Sequence, residues 1–367
     1  MFPTADVAYP SSALRRAALV QCLIAAFSAS LFACAEDRPA DPDGAGNGGS
    51  AAGSGNDVGR GAAGKGGSGS SDGTAGTSGT SGAGAADSNL YGYFNVVLNP
   101  VIEETGAEPN TSLLGKLYAG ESPSPMAWQL KEEAEDCKLY TPMALLCQPA
   151  CSGGALCVST NMCMPYPPTQ TVGSLTVKGL GSSELMVNPI ANSYQLPAGT
   201  KLPYPPCSAG SKIELAADGG EHAAFTLAAE CVAPVEAPDS VKIANGQPLA
   251  LNWTAAKAGT TRIGVLLDIS QHGISKGKIE CDTTDDGSLS IPAKLVDALV
   301  ELGISGFPTV VLTRTSASKA ADGGPPNVKL NVSAPYRSAV EIPGLTSCTV
   351  DADCPDGRRC QKDLKCE

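Results

Sequence analysis

Few residues in this chain have the means to do chemistry. Gly273-Ile274-Ser275-Lys276-Gly277 spells a Gly-x-Ser-x-Gly pattern, with His272 three positions before the serine; the second histidine of the chain is His222. A nucleophile elbow needs a strand before its serine and a helix directly after it. A strand ending at Ile269 supplies the first half. Lys278-Ile279-Glu280-Cys281 alternates like another strand, so the second half is missing and the segment reads as a hairpin loop. Asp282, Asp285 and Asp286 offer hard oxygen ligands to calcium, but they lack the alternate-position spacing and closing glutamate of an EF-hand, and Asp-Asp-Gly is an ordinary turn. Gly44, Gly46 and Gly49 match a dinucleotide fingerprint with no strand before them and no helix after. No cofactor and no metal are therefore expected.

The strongest signal lies near the N-terminus. Arg15 and Arg16 precede an apolar run that ends in Leu31-Phe32-Ala33-Cys34, giving the positive, apolar and small-residue regions of a secretory signal. The run is short for the ~20 apolar residues of a membrane-spanning helix. With cysteine following the cleavage point, it resembles the lipobox of bacterial outer-surface lipoproteins. That resemblance implies that residues 1–33 are removed and that Cys34 is lipidated, with several acyl chains holding the protein to the cell envelope, at the outer membrane. Residues 35–87 are mainly Gly, Ser, Ala, Thr and Asp, and they cannot bury enough apolar surface to offset the entropy of ordering. They read as a disordered tether with an r.m.s. span of ~40 Å.

Fourteen cysteines exclude a reducing compartment. Cys147, Cys151, Cys157 and Cys163 form one cluster, and Cys348, Cys354, Cys360 and Cys366 another; the last three cysteines of each share one frame, as an internal duplication would leave them. Zinc knuckles favour Cys-x2-4-Cys pairs, a range that only Cys147 with Cys151 meets, so disulfides are the better reading. The second cluster, with Asp351, Asp353, Pro355 and Gly357 among its cysteines, resembles the Dickkopf-like cysteine-rich repeats of extracellular proteins. This implies a structural or interaction module. Cys207 and Cys231 bracket a strand pair and read as partners. With Cys22 lost in the leader and Cys34 lipidated, parity leaves Cys137 to Cys281, provided each cluster closes on itself. Within a cluster of four, three pairings stay open.

The elements that must carry these residues have a period of two. Segments 93–98, 174–177, 184–187, 212–215, 225–227, 249–253, 262–269, 308–313 and 327–332 read as short strands, most of them bounded by turn residues. One segment, 290–303, places Ile291, Leu295, Val296, Leu299 and Leu302 on one helical face, with Ser290 as candidate cap, Pro292 in the first turn and Gly303 as the stop. The expected fold is mainly β: a β-sandwich of immunoglobulin-like or jelly-roll type with one helix and small disulfide-rich modules. Trp253 resembles the core tryptophan of immunoglobulin-like sandwiches, although the flanking cysteines of that family are absent. The sandwich spans 88–342 with a disulfide module inserted at about 137–166, and 343–367 form the C-terminal module.

Net charge is −12 and no basic cluster follows the leader, which excludes a nucleic-acid surface. A ligand would need exposed rings, and Tyr166, Tyr194, Tyr204 and Tyr336, several of them beside prolines, are the candidates; Trp128 falls in a stretch without an assigned element. The plan resembles the glycine-linked surface lipoproteins of gliding soil bacteria. It implies a membrane-tethered, non-enzymatic binding or adhesion module for a surface protein or polysaccharide. The alternatives are a structural envelope protein and a serine hydrolase using Ser275 and His272.

Overall fold

The computed structural model describes residues 89–101, 106–123, 128–256, 260–270, 276–318 and 324–367. They open with β1 (Tyr91–Asn99), β2 (Asn110–Tyr118), β3 (Trp128–Ala134) and β4 (Cys137–Pro142), then the short β5 (Leu156–Ser159), β6 (Met162–Met164) and β7 (Thr169–Gln170). Next come β8 (Leu175–Lys178), β9 (Leu185–Val187), β10 (Pro189–Ile190), β11 (Ser193–Gln195), β12 (Lys212–Ala217) and β13 (Phe225–Glu230). The rest are β14 (Ser240–Lys242), β15 (Leu249–Asn252), β16 (Arg262–Asp268), β17 (Lys278–Thr284), β18 (Ser288–Ile291), α1 (Ala293–Glu301), β19 (Thr309–Ala317) and β20 (Asn327–Glu341).

One mixed sheet runs β10-β11-β2-β1-β20-β19-β16-β17-β4-β3, with β7 added on β2 and β14 on β20. Strand β20 holds it together. Its first half lies parallel to β1, its last residues parallel to β14, and β19 runs antiparallel along its other edge. Alternation along β20 points Val328, Leu330, Val332 and Ala334 into one core and Val340 into another, so a single strand serves two cores.

The first core is sheet on sheet. Phe94 and Val96 of β1 and Leu113 and Leu117 of β2 face the four-stranded sheet β13-β12-β8-β9, which contributes Val177, Ile213, Leu215 and Leu227. Gly115 of β2 sits against the Phe94 ring, and any Cβ there would overlap it. The second core packs Ile263, Val265, Leu267, Ile279 and Leu312 of the large sheet under the β15-β18 ribbon, Trp253 and helix α1. The fold is thus a β-sandwich with one helix and disulfide-rich modules, and its described residues belong to one compact unit.

Local expectations differ from the structure in places. Helix α1 buries Leu295, Val296 and Leu299, but Ser290 does not cap it. Ser290 lies in β18 opposite Ala250, and Pro292 takes the cap position without a side-chain bond, because the ribbon runs straight into the helix. Gly303, at φ +100°, follows the helix end in a backbone that glycine tolerates. Strands β2 to β7, β10, β11, β14 and β18 are additional to those read from sequence. In β2 the inward position between Leu113 and Leu117 is Gly115, which breaks the hydrophobic alternation.

Candidate functional site

The two cysteine clusters form the same small scaffold. Cys147 is joined to Cys157 and Cys151 to Cys163; Cys348 is joined to Cys360 and Cys354 to Cys366. Both therefore link first to third and second to fourth. The backbones match as well. Gly153 and Gly154 have positive φ, as do Asp356 and Gly357 in the same frame, and so do Asn161 and Leu364 two residues before each last cysteine. Cys157 faces Cys163 across a strand pair as Cys360 faces Cys366. Ala155 N–H donates to the Ser152 carbonyl at 3.2 Å, and Arg358 N–H to that of Pro355 at 3.2 Å. Sγ atoms of Cys147, Cys151 and Cys163, and of Cys348, Cys354 and Cys366, lie within 4.8 Å of one another, but all of them belong to disulfides and provide no thiolate for a metal.

The two copies differ in what covers them. The C-terminal copy is seated on the loop after α1: Gly306 N–H donates to the Asp363 carbonyl at 2.7 Å, and Ser347 Oγ donates to the Gly306 carbonyl at 2.7 Å. Cys348 and Cys366 are buried there. The first copy presents apolar side chains to solvent, with Met143 46%, Leu146 65%, Met162 55%, Met164 39% and Tyr166 40% exposed. Leu146 stands where the other copy has Ser347, directly before the first cysteine, and Met162 where it has Lys365, directly before the last. Between Lys138 and Lys178 the chain contains no Asp, Glu, Lys, Arg or His. That charge-free run was legible in the sequence as a departure from an acidic composition. Met at an exposed, charge-depleted position is a signature of interface cores.

The other ring candidates turn inward. Tyr194 is fully buried, edge-on to Phe94 at 5.6 Å, with its hydroxyl donating to the Gly173 carbonyl at 3.0 Å and accepting from Val172 N–H at 2.7 Å. It is a core residue and presents no ligand platform. Tyr204 is half-buried against the first core, and burial pushes the hydroxyls of both Tyr194 and Tyr204 up from the ordinary value. Tyr336 packs on the second core and donates to Asp239 Oδ1 at 2.6 Å. Tyr166 remains exposed. Trp253 is core, and Trp128 lies on β3 under the Lys278 ammonium, 4.2 Å from its ring centre.

The three aspartates after Cys281 do not converge on a calcium site. Asp282 accepts from Arg262 Nε at 2.7 Å, Asp286 accepts from Thr284 Oγ1 at 3.0 Å and from Ser288 N–H at 3.3 Å, and Asp285 points inward to Arg314. Turn geometry sends successive side chains to different partners. His222 is bonded to Gln170 through Nε2 at 3.1 Å. Cys34, His272 and Ser275 lie outside the described residues.

Arg314 is the polar centre that the sequence reading passed over. The strand read at 308–313 stops one residue short, yet Arg314 continues the inward phase of Val310 and Leu312. Its side chain is 2% exposed and that of Asp285 3%. All five guanidinium N–H donors have acceptors: Asp285 through Nε and Nη2, the carbonyls of Ala233 and Pro234 through Nη1, and that of Thr254 through Nη2. Asp285 also accepts from Trp253 Nε1 at 2.8 Å and Thr261 Oγ1 at 2.9 Å. Burial pushes the Asp285 carboxyl up, but the bonds from Arg314, Trp253 and Thr261 outweigh it and hold the group below the usual carboxylate range. A pair so enclosed and satisfied is structural: it leaves no lone pair or proton for a substrate.

No family model and no curated protein matches the chain. Among solved structures, the FN1-FN3 domains of chicken CNTN1 align with 62% of this chain and 79% of that one, at 9% identity and a TM-score of 0.16. An overlap that loose bears on neither fold nor function.

Proposed function

We propose that this chain is a non-enzymatic binding module of the bacterial cell envelope, held to the outer membrane by lipid on Cys34 and carried away from it by the glycine-rich segment that follows. The observation that carries the reading is the exposed, charge-free face of the first cysteine module, with Leu146, Met162 and Met164 turned to solvent on a scaffold stiffened by two disulfides. A rigid hairpin loses little entropy on docking, so its apolar side chains retain most of their transfer energy for a partner. The polar centre at Arg314 and Asp285 is sealed and supports architecture. No described helix is long and apolar enough to cross a membrane.

Two measurements test it. Mass spectrometry of the membrane fraction is expected to find residues 1–33 missing and a lipid mass on Cys34; an unmodified thiol on a freely soluble chain would refute the anchor. Immobilised chain is expected to retain an envelope protein or polysaccharide, and Met162→Glu to release it. Equal retention by the variant would remove the proposed face.

A further inference from the structure

We infer that the exposed face of the first cysteine module is where two copies of this chain meet. The inference rests on the binding-module reading and names its partner. Three observations lead to a second copy. First, the sister module shows what this scaffold does with the corresponding face: at the C-terminus it is seated on protein of this same chain, through Ser347 and Asp363 on Gly306. In the first module Ser347 is replaced by Leu146, and Lys365, two residues after Asp363, by Met162; both are turned to solvent and have no seat in the monomer.

Second, the charge distribution selects the place. Two copies of an acidic chain repel each other over most of their surfaces, and each carries a formal charge of −12. The run between Lys138 and Lys178 is free of ionisable carboxylates and cations, so two copies can approach there without like charges opposed or desolvated. An uncharged thioether and leucine surface is also complementary to itself, as a two-fold interface requires. An anionic bilayer would call instead for lysine and arginine around the apolar side chains.

Third, the area suits a reversible contact. Met143, Leu146, Met162, Met164 and Tyr166 expose roughly 500 Å² together, so a dimer would bury about 1,000 Å², at the weak end of specific interfaces. Association is therefore expected in the micromolar range, where tethering many copies on one membrane would favour it.

The test is sedimentation velocity of the full chain over about two decades of micromolar concentration. The wild type is expected to show a concentration-dependent monomer and dimer. Leu146→Glu with Met162→Glu is expected to weaken association about tenfold or more, as is Leu146→Lys with Met162→Lys, while an equal mixture of the two variants associates again. Recovery by opposite charge excludes misfolding as the cause, and a non-reducing peptide map checks that Cys147–Cys157 and Cys151–Cys163 persist. A wild type that stays monomeric, or a dimer unchanged in the Glu variant, would overturn the inference. A monomer that still captures an envelope component through Met162 overturns self-association and leaves the binding module standing; a monomer whose capture ignores Met162 overturns both.

Discussion

Arg314 lays its guanidinium on the carboxylate of Asp285 where the two cores adjoin, with Nε 2.5 Å from Oδ2 and Nη2 3.1 Å from Oδ1. Arg314 stands opposite Ala334 of the first core, two residues beyond Leu312 of the second. The carbonyls of Ala233, Pro234 and Thr254 converge on the same group, so one side chain ties three segments of chain to the shared sheet.

Arg314→Ala should therefore cost about 3–5 kcal/mol of unfolding free energy, because Asp285 remains as a buried and unpaired charge. Replacing both, as Arg314→Met with Asp285→Leu, should cost less than the single change. Urea unfolding monitored at Trp253 decides: a single variant within about 1 kcal/mol of wild type would show that the pair does not hold the cores together.

Acid should act through the same pair. The Asp285 carboxyl in the folded chain titrates below its unfolded value, so its contribution is fully present above about pH 5 and is lost as pH falls through the unfolded and then the folded pKa. Comparing wild type with Asp285→Asn isolates it from the other carboxylates. The stability gap between them should shrink steadily below about pH 4. A gap constant from neutral to acid pH would contradict the assignment.

Much of the strand pattern was legible because burial alternates cleanly, as in β1, β12, β16 and β20. Where legibility failed, a local rule had been overridden by packing. Gly115 interrupts the alternation of β2 to admit the Phe94 ring, and Arg314 interrupts that of β19 to meet Asp285. Tyr194 stands beside residues typical of turns, yet its ring fills the first core because Val172 and Gly173 satisfy its hydroxyl. The disulfide connectivity within each cluster was open in sequence, since spacing alone does not say which sulfurs converge. The exposed face of the first module was visible as a run without charge, but composition does not reveal that its sister is already seated.

Ser275→Ala should leave stability and binding unchanged. Strand β17 begins at Lys278, close after the serine, where a nucleophile elbow needs a helix N-terminus to shape its oxyanion hole. A fluorophosphonate probe should not label wild type more than the variant. Labelling that this one substitution abolishes would establish a hydrolase.

Cys137 and Cys281 are directly paired residues of β4 and β17, with Cα atoms 4.1 Å apart across a sequence separation of 144. Both are buried in the second core. The bond ties β4, and through it the edge strand β3, to β17, its neighbour in the sheet, which the chain forms only after laying down β5 to β16. Strand β3 is largely exposed and paired on one side with β4, so it has little else to hold it. Changing both cysteines to Ala should cost roughly 2–5 kcal/mol and should release β3 and β4 first, since the lost constraint acts on the long loop that they close. Hydrogen exchange should show protection falling across residues 128–142 while β16 and β19 keep theirs. Uniform loss over both cores would mean that the bond supports global stability alone, and a non-reducing map joining Cys281 to Cys207 or Cys231 would refute the pairing itself.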